Sequence, residues 1–302
     1  MTDNADPSLN ASQEDHTSAL LQRQSEALCR FLSDPSISAS EAAQNLTAPT
    51  LGAQRKAKSN HETLSDGSKL WKDIANAIRN QTDQNDRLVE LVREIQKISD
   101  DDDTFKSMAG YHMYWTEFAY DFKVPRSDDA DREAQMQGWV NMNAFCAKLS
   151  RSRVPALDER SRSAWVIKEA LEKTPWEQTS HADLEEMLED DPDDEVVAEE
   201  VAYEYEIRKI TVLEYWIPAA AAWMKNDSRG IYEMEGKISI ADDEGWYPSN
   251  WTGRRGWSKD RFAFWKDRFR TISDIEELSE STRREAVDAA ECMEAVMRGS
   301  TS

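Results

Sequence analysis

Apolar residues recur at intervals of three and four, or multiples of these, through most of the chain, which is the spacing of amphipathic α-helices. Alternating apolar and polar residues, the pattern of a strand, appear only in short pieces such as Lys237–Ile240. The pattern therefore predicts an all-α fold, an irregular bundle of nine to ten helices in a single domain. The helical stripes lie at residues 20–32, 42–46, 70–78, 88–98, 108–122, 136–149, 165–171, 197–216, 262–269 and 286–297.

Capping residues and prolines predict where these helices begin and end. Ser38 followed by Glu41, and Thr282 followed by Glu285, have the spacing of a capping box. Pro49 is predicted to close the second, short helix, and residues 54–64 to form an exposed loop because they lack an apolar rhythm. Pro218 is predicted to kink or end the helix that contains it.

Composition divides the chain into a tail, a folded region and a short terminus. Residues 1–17 are polar and offer little apolar area to offset the entropy of ordering, so we expect a disordered tail. Residues 18–298 are predicted to form the helical domain, and 299–302 a second tail. Within the domain, we expect an acidic loop or insert at 183–200 and an ordered connector rich in tryptophan and glycine at 230–257.

Acidic residues dominate the charge, with 59 Asp plus Glu against 37 Lys plus Arg, a net charge of −22. Nucleic acid is a poor partner for such a chain because phosphates repel it. From Asp183 to Glu206, 13 of 24 residues are acidic and none is basic, which indicates a loop followed by the solvated side of a long helix. A calcium loop of the EF-hand type is disfavoured because Asp190–Glu195 contains Pro192 and no glycine.

Eleven tryptophans are present, and those at helical spacing favour core packing. Three others lie in loop-like sequence next to a basic strip at 252–270, which has seven basic and two acidic residues. The strip fits either an anionic ligand or the acidic segment of the same chain, and we favour the internal pairing. The candidate surface or groove consists of Trp246, Trp251, Arg254, Arg255, Trp257, Arg261 and Trp265.

Motifs of known chemistry are not found in the sequence. The four histidines lie in four separate segments, and no HExxH, GxGxxG, GxxxxGK[ST] or GxSxG sequence occurs. Three distant cysteines indicate reduced thiols, and for Cys146 a core position is favoured over a nucleophile. We therefore predict no catalytic, cofactor-binding or metal-binding residue. With neither a signal peptide nor a membrane-spanning segment recognised, we expect an intracellular, cytoplasmic protein.

Four passages together resemble a family of fungal domains of unknown function. GWSKDRFAFWKDRF at Gly256–Phe269 is similar to the C-terminal signature of that family, and SISASEAAQNLTAP at Ser36–Pro49 to its N-terminal segment. KLWKDIANAI at Lys69–Ile78 and the stripe at Asp86–Lys97 are similar as well, so the resemblance extends from about Leu20 to Met297. It implies an all-helical, intracellular fungal protein without an established activity or known catalytic residues.

Two functional hypotheses follow. The first is a non-catalytic interaction or scaffold protein that contacts a protein partner through its acidic segment or its tryptophan-rich groove. The alternative is an accessory protein or small-molecule-binding enzyme of fungal secondary-metabolite biosynthesis, with a pocket between helices lined by Trp and Tyr side chains.

Overall fold

The computed structural model describes residues 22–60, 68–99, 103–116, 123–177, 180–238 and 249–299. Within these ranges the chain forms twelve α-helices, and the one β-type pairing is an isolated bridge between Gly236 and Trp257. The all-α prediction is confirmed, but the predicted number of helices is too low. The tail predicted at 1–17 lies outside the described residues.

The chain divides into two compact units, Met1–Phe122 and Lys123–Ser302, so a single helical domain is an imprecise description. The first unit contains α1 (22–33), α2 (Ala39–Asn60), α3 (Ser68–Asn80), α4 (Asn85–Gln96) and α5 (Ala109–Tyr114). The second contains α6 (Arg132–Ser150), α7 (Arg160–Leu171), α8 (Ala182–Asp190), α9 (Glu195–Ile207), α10 (Leu213–Tyr232), α11 (Lys259–Ser273) and α12 (Glu280–Met297).

The start of α2 is as predicted, and its end is not. The Glu41 amide donates to Ser38 Oγ at 3.1 Å, the bond that a capping box requires. The prediction that Pro49 closes this helix is wrong, because α2 continues through Pro49 to Asn60, across part of the predicted loop. One turn before the proline, the Leu46 carbonyl accepts a hydrogen bond from Gln24 Nε2 at 2.9 Å, so a side chain of α1 supports the backbone there.

The first unit is held together by the predicted apolar stripes of α3 and α4 and by an aromatic cluster. Ile74, Ile78, Leu88, Leu91, Val92 and Ile95 are all buried. The ring of Tyr111 contacts Trp71 edge-on, with centroids 5.2 Å apart, and stacks on Trp115 at 4.7 Å. Phe118 and Phe122, predicted to continue this aromatic helix, lie outside the described residues.

The second unit is built around α10, which packs against α6, α7 and α12. Its small residues 219–222 are buried and allow neighbouring helices to approach closely. Trp223 Nε1 donates to Asn143 Oδ1 on α6 at 2.7 Å, which satisfies two polar groups inside the core.

The predicted long helix through residues 197–216 is two helices. The first, α9, ends at Ile207, a 3-10 turn follows at Ile210–Val212, and α10 then begins. Pro218 does not end α10, which continues from Leu213 to Tyr232 with the proline in its second turn. The break in α10 is at Asp227, whose φ of −145° and ψ of 33° are not helical.

The last two helices each begin at a serine cap. Ser258 Oγ accepts from the Arg261 amide at the start of α11, which contains the predicted stripe at 262–269. In α12 the cap is Ser279, which accepts from the Thr282 amide, so the helix begins three residues earlier than the Thr282 cap predicted. Among the described residues, none of the helices combines the length and apolar character needed to cross a bilayer.

Candidate functional site

The predicted groove residues have very different environments in the second unit. Trp257, Arg261 and Trp265 are buried, with 5%, 2% and 1% of their surfaces exposed. Trp251 is half-buried, Arg254 and Arg255 are exposed, and Trp246 lies outside the described residues. As a contact surface these residues stay a prediction, and three of them contribute mainly to the interior.

Arg261 and Trp265 converge on a carboxylate that the sequence analysis did not single out, Glu172 at the end of α7. Arg261 Nε donates to Glu172 Oε1 at 2.7 Å and Nη2 to Oε2 at 2.8 Å. Trp265 Nε1 donates to Oε1 at 2.6 Å, and Ser249 Oγ to Oε2 at 2.8 Å. The Glu172 side chain is fully buried and accepts four hydrogen bonds, so its charge is paired and its lone pairs are used.

The electrostatics of this cluster favour an ionised Glu172. Burial works to raise the pKa of Glu172, but the hydrogen bonds and charge of Arg261, with those of Ser249 and Trp265, hold that pKa below its usual value. A paired carboxylate of this kind is poorly suited to act as a general base, because its proton-accepting positions are occupied by donors.

The same cluster fastens the described end of the connector to α7. The Asn250 amide donates to the Glu172 carbonyl at 2.8 Å, and Arg261 Nη1 donates to the Gly256 carbonyl at 3.1 Å. The Trp257 amide donates to the Gly236 carbonyl at 2.8 Å. Gly256 has a φ of +88°, and a Cβ there would lie 2.1 Å from that carbonyl oxygen, so only glycine fits.

A second buried ion pair lies at the break in α10. Arg160 Nε donates to Asp227 Oδ2 at 2.6 Å, and Arg160 also donates to Asp158 and to the Ser150 carbonyl. Burial raises the pKa of Asp227, opposed by the hydrogen bond and charge of Arg160. Gly230 leaves room for the pair, since a Cβ there would lie 2.5 Å from both Arg160 Nε and Asp227 Oδ1.

The acidic segment is helical where a loop or insert was expected at 183–200. Helices α8 and α9 pack on each other across a four-residue turn, 191–194, and we call residues 182–207 the acidic hairpin. The Asp194 carboxylate caps α9 by accepting from the amides of Val196 and Val197. Helix propensity of Glu, Leu, Met and Ala explains why a segment of such charge is helical.

The base of the acidic hairpin is anchored, mostly by polar contacts. Arg208, at the end of α9, donates to both carboxylate oxygens of Asp183 at 2.9 and 2.7 Å. The hydrogen bonds and charge of Arg208 lower the pKa of Asp183, against a small effect of burial. Tyr203 Oη donates to the Val124 carbonyl at 3.1 Å, and Leu184 is buried.

The tip of the acidic hairpin is exposed on most sides. Within the described part of the chain, the side-chain hydrogen bonds and ion pairs of residues 185–195 are confined to the cap made by Asp194. Met187 and Leu188 each expose 36% of their surface, and Val196 exposes 72%. Three large apolar side chains are thus presented to solvent among carboxylates.

The basic strip pairs internally, as favoured, but with other acids than expected. Arg261 pairs with the carboxylate of Glu172, and Arg270 pairs with the carboxylate of Glu294 on α12. Both acidic residues lie outside the acidic hairpin. Arg268 Nε donates to the Leu171 carbonyl at 3.0 Å. The strip therefore acts mainly as an internal brace between α11, α7 and α12.

Metal-ligating side chains do not gather in the part of the chain that the structure describes, where no group of three or more His, Cys, Asp or Glu residues could hold an ion.

Cys146, predicted as a core thiol, is buried.

Comparison with known proteins identifies a family for this chain. No curated protein and no solved structure matches this chain. The family model described as "Protein of unknown function (DUF3632)" matches residues 70–269, which is more than half of the chain. Two of the passages on which the resemblance was based, Asp86–Lys97 and Gly256–Phe269, lie entirely within the matched residues. The chain therefore belongs to this family of proteins of unknown function.

Proposed function

We propose that this protein is a non-catalytic interaction protein that contacts a protein partner through its acidic hairpin. The observation that carries the proposal is the exposed tip, where three large apolar side chains lie among carboxylates that, apart from the Asp194 cap, make no side-chain hydrogen bond or ion pair within the described ranges. The fully paired Glu172 cluster, in contrast, stabilises the fold.

Two physical costs of the free hairpin support this role. Ten carboxylates between Glu185 and Glu200, with no basic residue among them, repel one another. Exposed Met187, Leu188 and Val196 also leave apolar area in water. A partner that carries positive charge and apolar side chains would reduce both costs on binding.

A charge-neutral variant with a matched control tests the proposal. In the hairpin variant, Glu185, Glu186 and Glu189 become Gln and Asp190 becomes Asn. In the control, the exposed residues Glu276, Glu277 and Glu291 become Gln and Asp274 becomes Asn, which removes the same charge from α12 and the loop that precedes it. Both variants should retain the helical circular dichroism of the wild type.

Affinity capture with quantitative mass spectrometry, from cells that express each tagged form, is the measurement. We expect a partner that wild type and control both capture, and that the hairpin variant captures about tenfold less. Equal capture by the hairpin variant and the wild type would contradict a contact role for the acidic hairpin.

A further inference from the structure

We infer that the tip of the acidic hairpin docks a basic amphipathic helix of a partner protein, an inference that rests on the proposed function. The apolar stripe of that helix covers Met187, Leu188 and Val196, and its Lys and Arg side chains meet the surrounding carboxylates. This is recognition of a helix in a groove between helices.

The apolar part of the proposed contact is a cluster of exposed side chains around the hairpin turn. Six large apolar side chains are exposed among the described residues, and three of them lie within the ten residues 187–196 around the hairpin turn. The other three, Met113, Val287 and Met297, are separated along α5 and α12. Scattered single residues are ordinary on a protein surface, whereas a cluster marks a contact site.

The geometry of the hairpin favours a helix as the occupant. Leu184, Met187 and Leu188 are spaced by three and four residues and therefore share one face of α8. At the base this face is buried through Leu184, and toward the tip it is exposed. The apolar face of α8 thus extends beyond the part that the fold covers, and two packed helices present a groove into which the ridges of a third can fit.

Charge complementarity selects a basic occupant. Glu185, Glu186, Glu189, Asp190, Asp191, Asp193 and Glu195 surround the exposed apolar residues, and no Lys or Arg lies between Ala182 and Ile207. Nucleic acid and anionic membranes are repelled by such a surface, and so is an acidic peptide. Lys and Arg around an apolar stripe would steer the partner to the tip and fix its register.

A second copy of this chain is a poorer occupant than a different protein. In the helical part of its own basic strip, Arg261 pairs with Glu172, Arg268 bonds to the Leu171 carbonyl and Arg270 pairs with Glu294. Docking α11 onto the acidic hairpin of another copy would break these contacts, and the exposed Arg254 and Arg255 lie in the loop before that helix. The partner is therefore a separate chain with an accessible basic helix.

Binding of designed peptides to the full-length protein tests the inference. The first probe is a fluorescent peptide of about 18 residues, five helical turns, with leucines at helical spacing and lysines on the other positions. The second probe has the same composition in scrambled order, so that charge is kept and the apolar stripe is lost. We expect the helical peptide to bind wild type about tenfold more tightly than the scrambled one by fluorescence anisotropy.

Variants of exposed residues locate the site. The hairpin pair Met187→Ser and Leu188→Ser should weaken the helical peptide about tenfold, while Val287→Ser with Met297→Ser, an exposed pair on α12, should leave its affinity unchanged. Unfolding curves that match the wild type establish that each variant is folded, since the four side chains are exposed.

Three results would overturn the inference and leave the proposed function standing. These are equal affinity for both peptides, an unchanged affinity in Met187→Ser with Leu188→Ser, and concentration-dependent self-association of the chain alone that this pair of substitutions abolishes in sedimentation velocity. The last result would identify a second copy as the occupant. The proposed function fails separately, when the charge-neutral hairpin variant captures its partner as wild type does.

Discussion

The side chain of Glu172 brings together parts of the second unit that are distant in sequence. It ends α7, and its carboxylate accepts from Arg261 and Trp265 of α11 and from Ser249 of the connector. A buried carboxylate without such donors would be costly, because desolvation is compensated only by close pairing. The network is therefore satisfied as a whole, and the loss of one member leaves the others with an unpaired charge or donor.

Replacing Glu172 by Gln should destabilise the protein strongly. The substitution keeps the shape of the side chain but leaves the buried Arg261 guanidinium without its counter-charge, which costs about 3 kcal/mol. Glu280→Gln is the matched control, because its pair with Arg284 is exposed and contributes about 0–0.5 kcal/mol. Urea unfolding followed by circular dichroism measures both. If Glu172→Gln lowers the free energy of unfolding by less than about 1 kcal/mol, the network does not have the stabilising role that we assign to it.

The pH dependence of stability should show the same ion pair. Because the folded-state pKa of Glu172 is lowered from its ordinary value of 4.5, the carboxylate stabilises the fold above that value and loses this effect as the pH falls through the folded pKa. The difference in unfolding free energy between wild type and Glu172→Gln should be constant from about pH 7 to pH 5 and shrink below pH 4.5. A difference that instead grows as the pH falls from about 7 to 5 would indicate a raised folded-state pKa and contradict this prediction.

At the scale of the element, α10 continues past a proline and breaks at a residue that forms a buried ion pair. Pro218 lies in its second turn without ending it, and the break occurs at Asp227, which pairs with Arg160. Gly230 lies one turn later and has no Cβ to clash with that pair. The break thus coincides with the buried ion pair, in a stretch, Asn226–Gly230, that is rich in weak helix formers.

Gly230→Ala should destabilise the protein although alanine is the better helix former. The added Cβ would lie 2.5 Å from Arg160 Nε and Asp227 Oδ1 and force the buried pair apart, which costs about 1–3 kcal/mol. Gly52→Ala in α2 is the control, because outside the backbone of that helix no described residue has an atom within 4 Å of its Cβ position, and it should stabilise by up to about 1 kcal/mol. Thermal unfolding measures the Tm of both variants. A change of Tm in the same direction for both would refute the steric explanation.

Helices were largely predictable because their apolar spacing is local information. The cap at Ser38, for example, could be predicted from Glu41 three residues later. The end of α2 could not be predicted in this way, because the helix continues through Pro49 to Asn60. For the candidate site, Arg261 and Trp265 were singled out by sequence, whereas Glu172 was missed because its partners lie 89 and 93 residues away.

The two compact units make a prediction for the whole molecule. Every described hydrogen-bond partner of the Glu172 carboxylate lies in the second unit, as do α10 and the acidic hairpin. A unit of this length can bury a core of its own. We therefore expect residues 123–302, produced alone, to unfold cooperatively in urea.

In that fragment Glu172→Gln should cost the same unfolding free energy as in the full chain, within about 0.5 kcal/mol, because additive effects are expected where no partner is shared. The family match at 70–269 begins inside the first unit, so the opposite outcome has a clear physical meaning. A fragment without a cooperative transition, or one in which the substitution has a much smaller effect, would mean that the second unit needs the first to form its core. Equal values would make the second unit the folding unit that holds both the buried carboxylate network and the acidic hairpin.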